Sequence, residues 1–493
     1  MTDRKPNVVL IMADQHRADV MGCAGDAFVS TPNLDRLADE GVRFSRVSCQ
    51  GPLCMPARAS FLTERYVRDH GVYTNWAEVP HGMPTYLHAL QAVGYHTAAL
   101  GKQHLTRDEE LDVAHQDDLA PSLRERGFDE VQESGDKFSL TVPNRYSDYL
   151  RSRGLWDAYL QHLTDRSYQG ERETGRGATK KVPMWDATPT PLPLDDYIDS
   201  WHGRLASDWI ASYDRDEPFY AFVGFPGPHD PWDAPAEAVA EYASTGTPAL
   251  PRSTRRPDLD GTGNYGKLLE AFGRLSDTDT MTDDGIRGMR RAYAANVSVI
   301  DHEVGRILDA LDDRGVLDDT WVIYTSDHGE MAGDHGHMSK CVLYDGAVRV
   351  PLLVRPPGGA GGRAGTVVDD LVEHVDVPAT IRAAVGAGEV PESEGRSLLG
   401  HVSAGDAPPE PRSFVVSENW GFASFETDAY KLVVDEDAMV PAQLFDRADD
   451  PNEDENLITD AAAATVVGEM MDEIVKPFFT TPPLRTSPTF FTS

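Results

Sequence analysis

The sequence predicts an α/β protein: a large, mainly parallel β-sheet sandwiched by helices, followed by a smaller C-terminal α+β subdomain. Three observations support this prediction. Short apolar runs without polar alternation are typical of strands that are buried on both faces. Helical patterns lie between these runs, which is the order expected of a parallel sheet. After about residue 395 the pattern changes to short strands and a helix.

Four apolar runs predict the strands of the large sheet. They lie at residues 7–12 (NVVLIM), 96–100 (HTAAL), 219–224 (FYAFVG) and 321–325 (WVIYT). Between them, helices are predicted at residues 32–40, 83–93 and 286–313. The first begins after Thr31 with proline at its first position, which suits a helix start. The third carries apolar residues three or four apart and ends before Gly315, a typical stop.

Two polar regions interrupt this alternation, at residues 130–200 and 244–284. We interpret both as insertions or lid-like loops, which often shape specificity. Short strands are predicted at residues 414–416 and 431–434, and a helix at residues 461–475. The predicted organisation is therefore a large domain over residues 1–394, an α+β subdomain over 395–476 and a tail over 477–493. The tail carries four phenylalanines and no acidic residue, and from it we predict a homo-oligomer.

The composition restricts the possible partners. The 493 residues include 81 acidic and 45 basic side chains, giving a formal charge of −36. Such a charge repels nucleic acid and anionic membranes, so neither is an expected partner. No apolar stretch approaches about 18 residues, and the N-terminus shows no secretory signal. Four cysteines are too few for a disulfide scaffold, and a cytoplasmic location is predicted.

One cysteine lies in a motif that can carry chemistry. Cys54 opens the sequence CMPAR, which fits the pattern Cys-x-Pro-x-Arg. Taken alone, the residue could equally be a small buried apolar side chain. Other segments reduce the weight of that alternative because they follow in a fixed order. They are PNVVLIMADQ, TPNLDRLADEGVRF, GPLCMPARASFL, GKQHL, PHDPW, SDHGEMAGDHGHMSK and RVPLLV.

These segments together resemble the formylglycine-dependent type I sulfatases, a family with the alkaline phosphatase-like fold. The resemblance covers at least the first 380 residues, and residues 443–457 are similar to the family's last strand and turn. It implies hydrolysis of a small-molecule sulfate ester after a maturation enzyme oxidises Cys54 to formylglycine. The sequence departs from the family at Met55 and Ala57 beside the cysteine. It also has Glu64 where glycine is usual.

The resemblance also implies one divalent metal ion. Asp14 and Gln15 follow the first predicted strand, and Asp327 and His328 follow another. Open α/β sheets place their ligands at such strand ends. By resemblance these four residues and Cys54 hold the metal. Oxygen-rich coordination favours Ca²⁺, with Mg²⁺ or Mn²⁺ as alternatives. The Gln and His variant resembles a subgroup that includes choline sulfatases and phosphonate monoester hydrolases.

A sulfate ester is an anion, so its site must be locally positive in this acidic chain. The matched motifs supply candidate catalytic cations, which are Arg58, Lys102, His104, His229 and Lys340. Asn75 is a further candidate, for binding a sulfate oxygen. If the chain were extended after residue 100, Lys102 and His104 would point the same way. Cys23 and Cys49 are expected to be structural. His335, His337 and Cys341 are expected to support their loop.

The family mechanism assigns roles to these residues. The hydrate of formylglycine attacks sulfur, and Lys102 and Lys340 balance the charge on the sulfuryl oxygens. His229 is the favoured general acid for the leaving alcohol, with Lys340 as the second candidate. His104 is the expected base for the release of sulfate.

Three other functions stay open. A phosphonate monoester or phosphodiester hydrolase could use the same fold and cations. To our reading such enzymes lack the Lys and His of the GKQHL type, which favours sulfate. A thiol hydrolase would use Cys54 and a histidine without metal, and a non-catalytic relative would only bind. The motifs do not reveal which sulfate ester is used, whether aryl, alkyl, choline or carbohydrate.

Overall fold

The computed structural model describes residues 5–106, 114–137, 142–166, 182–251, 259–403 and 407–480. Thirteen strands in these ranges form two sheets. The strands of the large sheet are β1 Asn7–Asp14, β2 Val42–Ser48, β3 His96–Gly101, β4 Glu130–Gln132, β5 Phe219–Pro228, β6 Thr320–Ser326, β7 Arg349–Arg355, β8 Thr366–Val368 and β9 Val372–Glu373. The strands of the small sheet are β10 Val415–Asn419, β11 Phe422–Glu426, β12 Tyr430–Asp435 and β13 Val440–Asp446.

The large sheet is mostly parallel. Its order is β4-β3-β5-β1-β6-β7-β2-β8, and β9 also pairs with β2. Only β7 runs antiparallel to its neighbours β6 and β2 among the described strands. The four apolar runs form β1, β3, β5 and β6, each extended by one or more residues. The predicted α/β fold class is confirmed.

The helices cover both faces of this sheet. Their bounds are Pro32–Glu40, Cys54–Thr63, Val67–His70, Tyr86–Ala92, Ala120–Glu125, Arg145–Arg153, Trp156–Thr164, Ile198–Ser212, Ala236–Glu241, Gly263–Leu275, Asp283–Asp313, Asp345–Val348, Asp376–Val385, Leu399–Val402, Ala464–Met470 and Lys476–Thr480. Leu10 and Met12 of β1 belong to the core on one face, and Val9 and Ile11 belong to the core on the other. Alternate side chains of the central strand therefore anchor both layers.

Two predicted helices differ at their starts. The helix predicted from residue 83 begins at Tyr86, and Thr85 is its N-cap. Pro84 explains the difference, because the residue before a proline is disfavoured in helical conformation. The long helix begins at Asp283, where the Thr282 side chain accepts a hydrogen bond from the backbone of Gly285. No helix in the described ranges has the length and apolar character needed to cross a membrane.

The two polar regions are more ordered than loop-like insertions. The first contributes the edge strand β4, the helices Arg145–Arg153 and Trp156–Thr164, and the start of Ile198–Ser212. The second holds the helix Gly263–Leu275. The loop interpretation is therefore wrong for these described segments. The apolar residues of the first region pack against the long helix, and tertiary contact rather than local pattern stabilises them.

The small sheet is antiparallel throughout, in the order β10-β11-β12-β13. The predicted C-terminal helix has an α-helical part, Ala464–Met470, and a π-helical part, Met471–Val475. Helical structure continues to Thr480, past the predicted start of the tail. Phe478 and Phe479 pack on Phe425 of the same chain, with ring centroids 5.2 and 5.8 Å away. Residues 481–493 lie outside the described residues, and the homo-oligomer stays a prediction.

Candidate active site

The candidate site lies at the carboxyl ends of two central strands. Asp14 is the last residue of β1, and Asp327 and His328 directly follow β6, its parallel neighbour. The helix Cys54–Thr63, called the Cys54 helix below, begins beside them. Because parallel strands end at the same edge of a sheet, residues more than 300 positions apart meet here.

Four of the predicted residues form a compact buried cluster. The Sγ atom of Cys54 is 3.3 Å from Nε2 of His328 and 3.8 Å from Oδ1 of Asp14. The same His328 nitrogen is 3.8 Å from Oδ1 of Asp327. One potential ligand atom from each of the four residues lies within 4.8 Å of the others, and all four residues are buried. This geometry can hold a metal ion.

The chemistry of the donors also fits a divalent cation. Nδ1 of His328 donates a hydrogen bond to the Gly329 carbonyl at 2.9 Å, so Nε2 is the ring nitrogen that faces the cluster, and it would bind a metal once it has lost its proton. Two carboxylates and one imidazole form a mainly oxygen donor set. Gln15 lies beside the cluster with its backbone N–H donating to Oδ1 of Asp327 at 3.0 Å. Its side-chain oxygen accepts a hydrogen bond from Lys340 at 2.5 Å.

Arg58 ties the cluster to the Cys54 helix. Its guanidinium donates to Oδ2 of Asp327 at 2.8 Å and to Oδ2 of Asp14 at 3.2 Å. It also reaches the backbone oxygen of Lys102 at 3.2 Å. The side chain is 2% exposed, so these contacts replace its hydration. Arg58 therefore orients both carboxylates from one side.

Lys102 approaches the cluster from the end of β3. Its Nζ atom is 2.7 Å from Oδ2 of Asp14 and 2.6 Å from Oδ2 of Asp136. A glycine in β5 makes this position possible. A Cβ atom on Gly224 would lie 1.9 Å from the Lys102 carbonyl oxygen, so any side chain there would displace the lysine backbone.

Lys340 and His229 form a second cationic group. The Lys340 ammonium contacts Nε2 of His229, while Nδ1 of His229 donates to the Asp230 carbonyl at 2.7 Å. Burial and Lys340 lower the pKa of His229. Three carboxylates outweigh them and raise it to about 9; they are Asp230, Asp136 and Asp14. The raised pKa and this contact favour one proton shared between Nε2 of His229 and the Lys340 amine at neutral pH.

The other two predicted residues lie at the border of this network. Asn75 accepts a hydrogen bond from the Met55 backbone N–H at 3.1 Å, next to Cys54. His104 follows Lys102 after the strand has ended, and its φ of 51° is left-handed rather than extended. The chain is not extended at His104, so the condition under which Lys102 and His104 would point the same way is not met.

The charges act on the cysteine itself. Burial raises the pKa of the Cys54 thiol, and Asp14 raises it further. Three cations outweigh both and hold this pKa well below its usual range; they are Lys340, His328 and Lys102. A thiol in such an electropositive position is a candidate for chemistry rather than for packing.

The remaining cysteines and loop histidines have ordinary surroundings. Burial raises the pKa of Cys23 and of Cys341 to about 12. The backbone N–H of Cys341 donates to the Pro52 carbonyl at 2.9 Å. The ring of His335 stacks on Tyr344 with centroids 4.2 Å apart. These contacts support the interpretation that such residues stabilise their loops.

Sequence reasoning missed several acidic residues of the site. Asp136 accepts from Lys102, and Glu330 accepts from Nε2 of Gln15 at 2.5 Å. Asp230 is 3.2 Å from Nδ1 of His229. Asp230 and Glu330 were visible within matched motifs, but Asp136 lies in a region without any signature. Only its place beside Lys102 identifies it.

Comparisons with known proteins agree with this geometry. A family model described as sulfatase matches residues 6–387, and one described as N-sulphoglucosamine sulphohydrolase, C-terminal, matches residues 333–477. The chain is 28% identical to an arylsulfatase of Clostridium perfringens (strain 13 / Type A), over 92% of this chain and 90% of the relative. It is 29% identical to a choline-sulfatase of Rhizobium meliloti (strain 1021), over 93% and 83%.

A solved structure shows the same architecture. The phosphonate monoester hydrolase from Silicibacter pomeroyi is 26% identical to this chain and has a TM-score of 0.79 with it. The similarity covers 97% of this chain and 96% of that structure.

Proposed function

This chain belongs to the sulfatase family and is a sulfuric ester hydrolase, and we propose that it uses a formylglycine made from Cys54 to hydrolyse sulfate monoesters to an alcohol and sulfate. The observation that carries the proposal is the position of the cysteine. Cys54 lies 3.3 Å from His328 and 3.8 Å from Asp14, inside a ring of buried cations. An anionic substrate and an oxygen nucleophile would both be stabilised there.

The two implied groups would add what the side chains lack. As its hydrate, formylglycine at position 54 would supply one hydroxyl for attack on sulfur and a second whose deprotonation releases sulfate. A divalent cation would acidify the hydroxyl that attacks sulfur, and it would also polarise the sulfuryl group. The residues that would hold it are Asp14, Gln15, Asp327, His328 and the modified residue 54. Their mainly oxygen donors favour Ca²⁺, with Mg²⁺ and Mn²⁺ as alternatives.

The positions of Lys102 and Lys340 support a role in binding the sulfuryl oxygens. Lys102 and Lys340 reach the cluster from β3 and from the loop after β6. Each is buried and has carboxylate or amide partners, so each is held in position before substrate arrives. Arg58 binds the carboxylates instead and positions them.

A proton for the leaving alcohol is available at the His229–Lys340 contact. The raised pKa of His229, about 9, and its contact with Lys340 favour a shared proton between these two side chains at neutral pH, which a general acid can donate. We propose His229 as the acid, with Lys340 as the second candidate. His104 is proposed as the base for sulfate release, and Asn75 as a neutral donor to a sulfate oxygen.

Maturation can be tested by mass spectrometry of one peptide. Trypsin releases residues 47–58, which contain Cys49 as well as Cys54. We expect the chain made with a formylglycine-generating enzyme to contain one aldehyde and one alkylatable thiol in this peptide. Cys49 serves as the internal control. Two alkylatable thiols in that material would contradict the proposal.

Activity is best tested with a panel of aryl, alkyl, choline and carbohydrate sulfates. We expect turnover by the matured chain and none after exhaustive chelation, with recovery when Ca²⁺, Mg²⁺ or Mn²⁺ is returned. Turnover that survives chelation would favour a metal-free thiol hydrolase. No turnover of any ester by fully matured chain would favour a binding protein.

A phosphonate monoester hydrolase is the second candidate function. The TM-score of 0.79 and 26% identity to such an enzyme favour it. Lys102 and His104 of the GKQHL segment favour a sulfate monoester. Comparing kcat/KM for an aryl sulfate and for a phenyl phosphonate ester decides between them. Higher kcat/KM on the phosphonate would reverse the proposed order.

We also propose a homo-oligomer, on the basis of the phenylalanine-rich tail. Light scattering should give a mass above that of one chain, and deletion of residues 481–493 should reduce it. A monomer that is unchanged by the deletion would contradict this proposal.

A further inference from the structure

A short segment without any motif contacts two of the loops that carry proposed catalytic cations, namely the loop after β3 and the loop of His229. Residues 133–137 (ESGDK) directly follow the edge strand β4. Ser134 hydrogen bonds to His202, which fixes the segment to the helix Ile198–Ser212. The segment therefore has an anchor outside the site and can serve as a support for it.

One contact is to the loop that follows β3. Oε1 of Glu133 accepts hydrogen bonds from the backbone N–H groups of Gln103, at 3.3 Å, and His104, at 3.0 Å. Asp136 accepts from the Lys102 ammonium at 2.6 Å, opposite the contact of that ammonium with Asp14. Lys102 is thus held between two carboxylates from different parts of the fold.

The other contact is to the loop that carries His229. Lys137 is 1% exposed, and its Nζ atom donates to the His229 carbonyl at 2.8 Å and to the Pro231 carbonyl at 3.4 Å. Asp233 lies 3.6 Å from the same ammonium. Burying an ammonium is costly unless its donors are satisfied, and here the loop backbone satisfies them. Loss of the Lys137 ammonium would therefore leave the carbonyls of the His229 loop without their donor and allow the loop to shift.

We propose that Asp136 and Lys137 are positioning residues, of which Asp136 places the Lys102 ammonium and Lys137 places the His229 ring. Neither residue carries out a chemical step. The proposal rests on the proposed function, because Lys102 and His229 have separate tasks there. Lys102 acts on the sulfuryl group, and His229 acts on the leaving alcohol. The two substitutions should therefore change activity in different ways.

The test compares two sulfate esters, one with a 4-nitrophenol leaving group and one with an alkyl alcohol. A good leaving group needs little protonation, so misplacing the acid should matter mainly for the alkyl ester. We expect Lys137→Met to lower kcat on the alkyl sulfate roughly 10- to 100-fold, since small displacements of a catalytic group have costs of that order. The effect on the nitrophenyl sulfate should be several times smaller, with little change in KM for either ester.

Asp136→Asn should show the complementary pattern. We expect roughly a tenfold loss of kcat/KM, equal for both esters, because the Lys102 contact is independent of the leaving group. Unchanged kcat and KM in this variant would overturn the role of Asp136. An equal loss on both esters in Lys137→Met would overturn the role of Lys137.

A matched control separates positioning from stability. His162 also contacts Asp233, at 3.2 Å, through Oδ2, whereas Lys137 lies nearest to Oδ1. We expect His162→Gln to lower thermal stability but to keep the wild-type ratio of the two kcat values. If Lys137→Met does not fold, the double variant Lys137→Met/Asp233→Asn also removes the buried carboxylate that has lost its ammonium partner. It should fold and still show the leaving-group effect.

A second measurement does not depend on sulfatase activity. In chain labelled with ¹⁵N-histidine, Lys137→Met should shift the ring nitrogen signals of His229, identified with His229→Gln, and His162→Gln should not. Wild-type chain that turns over neither ester would contradict the proposed function. Unshifted His229 signals in Lys137→Met would contradict the positioning role.

Discussion

The two ends of the Cys54 helix show two uses of buried charge. At its start, Cys54 and Arg58 meet Asp14 and Asp327, and further cations surround them. At its end, the helix stops at Glu64, whose carboxylate is fully buried. Glu64 accepts two hydrogen bonds from one guanidinium, that of Arg382, at 2.6 and 2.7 Å, and a third from the Ser393 hydroxyl.

The two ends of the helix differ in whether each buried charge has one opposite partner. The Glu64–Arg382 pair is bidentate and closed, which is an arrangement for stability. The start of the helix holds an excess of cations that lowers the pKa of a thiol. Cys49, five residues earlier and equally buried, has its pKa raised by burial and by Asp327. Cys49 and Cys54 are both buried, and the cations around Cys54 distinguish it as the candidate reactive thiol.

The largest expected effect is removal of the reactive side chain. Cys54→Ala should lower kcat/KM on the preferred sulfate ester by at least about 10⁴-fold, as loss of a nucleophile does in other hydrolases. Its thermal unfolding midpoint should stay close to that of wild type. Cys49→Ala is the matched control and should keep most of the activity. Equal activity in the Cys54→Ala and Cys49→Ala variants would contradict the distinction between the two cysteines.

The next effect tests the cation excess directly. Lys102→Met should lower kcat by roughly 10²–10³-fold, the cost of removing one donor from a preorganised anion site. Steady-state kinetics on an aryl sulfate measures this loss. Lys5 is exposed and remote from the site, so Lys5→Met should leave kcat unchanged. A loss of kcat below threefold in Lys102→Met would show that the Lys102 charge does not contribute to catalysis.

The other end of the helix should respond in stability rather than in rate. Arg382→Met leaves the Glu64 carboxylate buried without its partner and should cost about 3–5 kcal/mol of unfolding free energy. The kcat of the folded fraction should change little. Urea denaturation and active-site titration measure the two quantities.

The double variant Glu64→Gly/Arg382→Met sharpens this prediction. Removing both charges should recover much of the lost stability, because no carboxylate stays unpaired. Glycine also suits the left-handed φ of 56° at position 64. A double variant less stable than Arg382→Met alone would contradict the prediction.

The smallest effect concerns pH and again involves the middle and end of the helix. His70 hydrogen bonds to Ser60, and the ring of His374 contacts Phe61. Burial, with a contribution from Arg65, lowers the pKa of His70 from 6.5 to about 3. Burial and Arg58 likewise lower the pKa of His374 to about 3.

Both histidines should therefore make the fold acid-sensitive. Between pH 6.5 and about 3 the unfolded chain binds protons that the folded chain does not, so the unfolding free energy should fall as the pH is lowered. The loss should reach a few kcal/mol by about pH 4, measured from urea midpoints. His70→Gln should make this dependence shallower, while substitution of the exposed His81 should not. An unchanged slope in His70→Gln would contradict the assignment.

Much of the site was predictable because its residues follow strands. Asp14, Asp327 and His328 come directly after apolar runs, and the sheet brings such ends together. The supporting charges were not predictable in the same way. Asp136 lies in a polar region for which the sequence predicted loops, and only the pairing of β4 with β3 brings it beside Lys102. Local patterns do not encode such long-range pairing.

The sequence by itself determined the fold class and the central strands, and it identified Cys54 and most of the residues that surround it. These follow from hydrophobic periodicity and from motifs, which are local properties of the chain. The tertiary structure alone decided which carboxylate faces which cation, and hence which thiol has a lowered pKa. The physical reason is that Coulomb interactions depend on distance in space and on burial, and both are set only when distant segments pack.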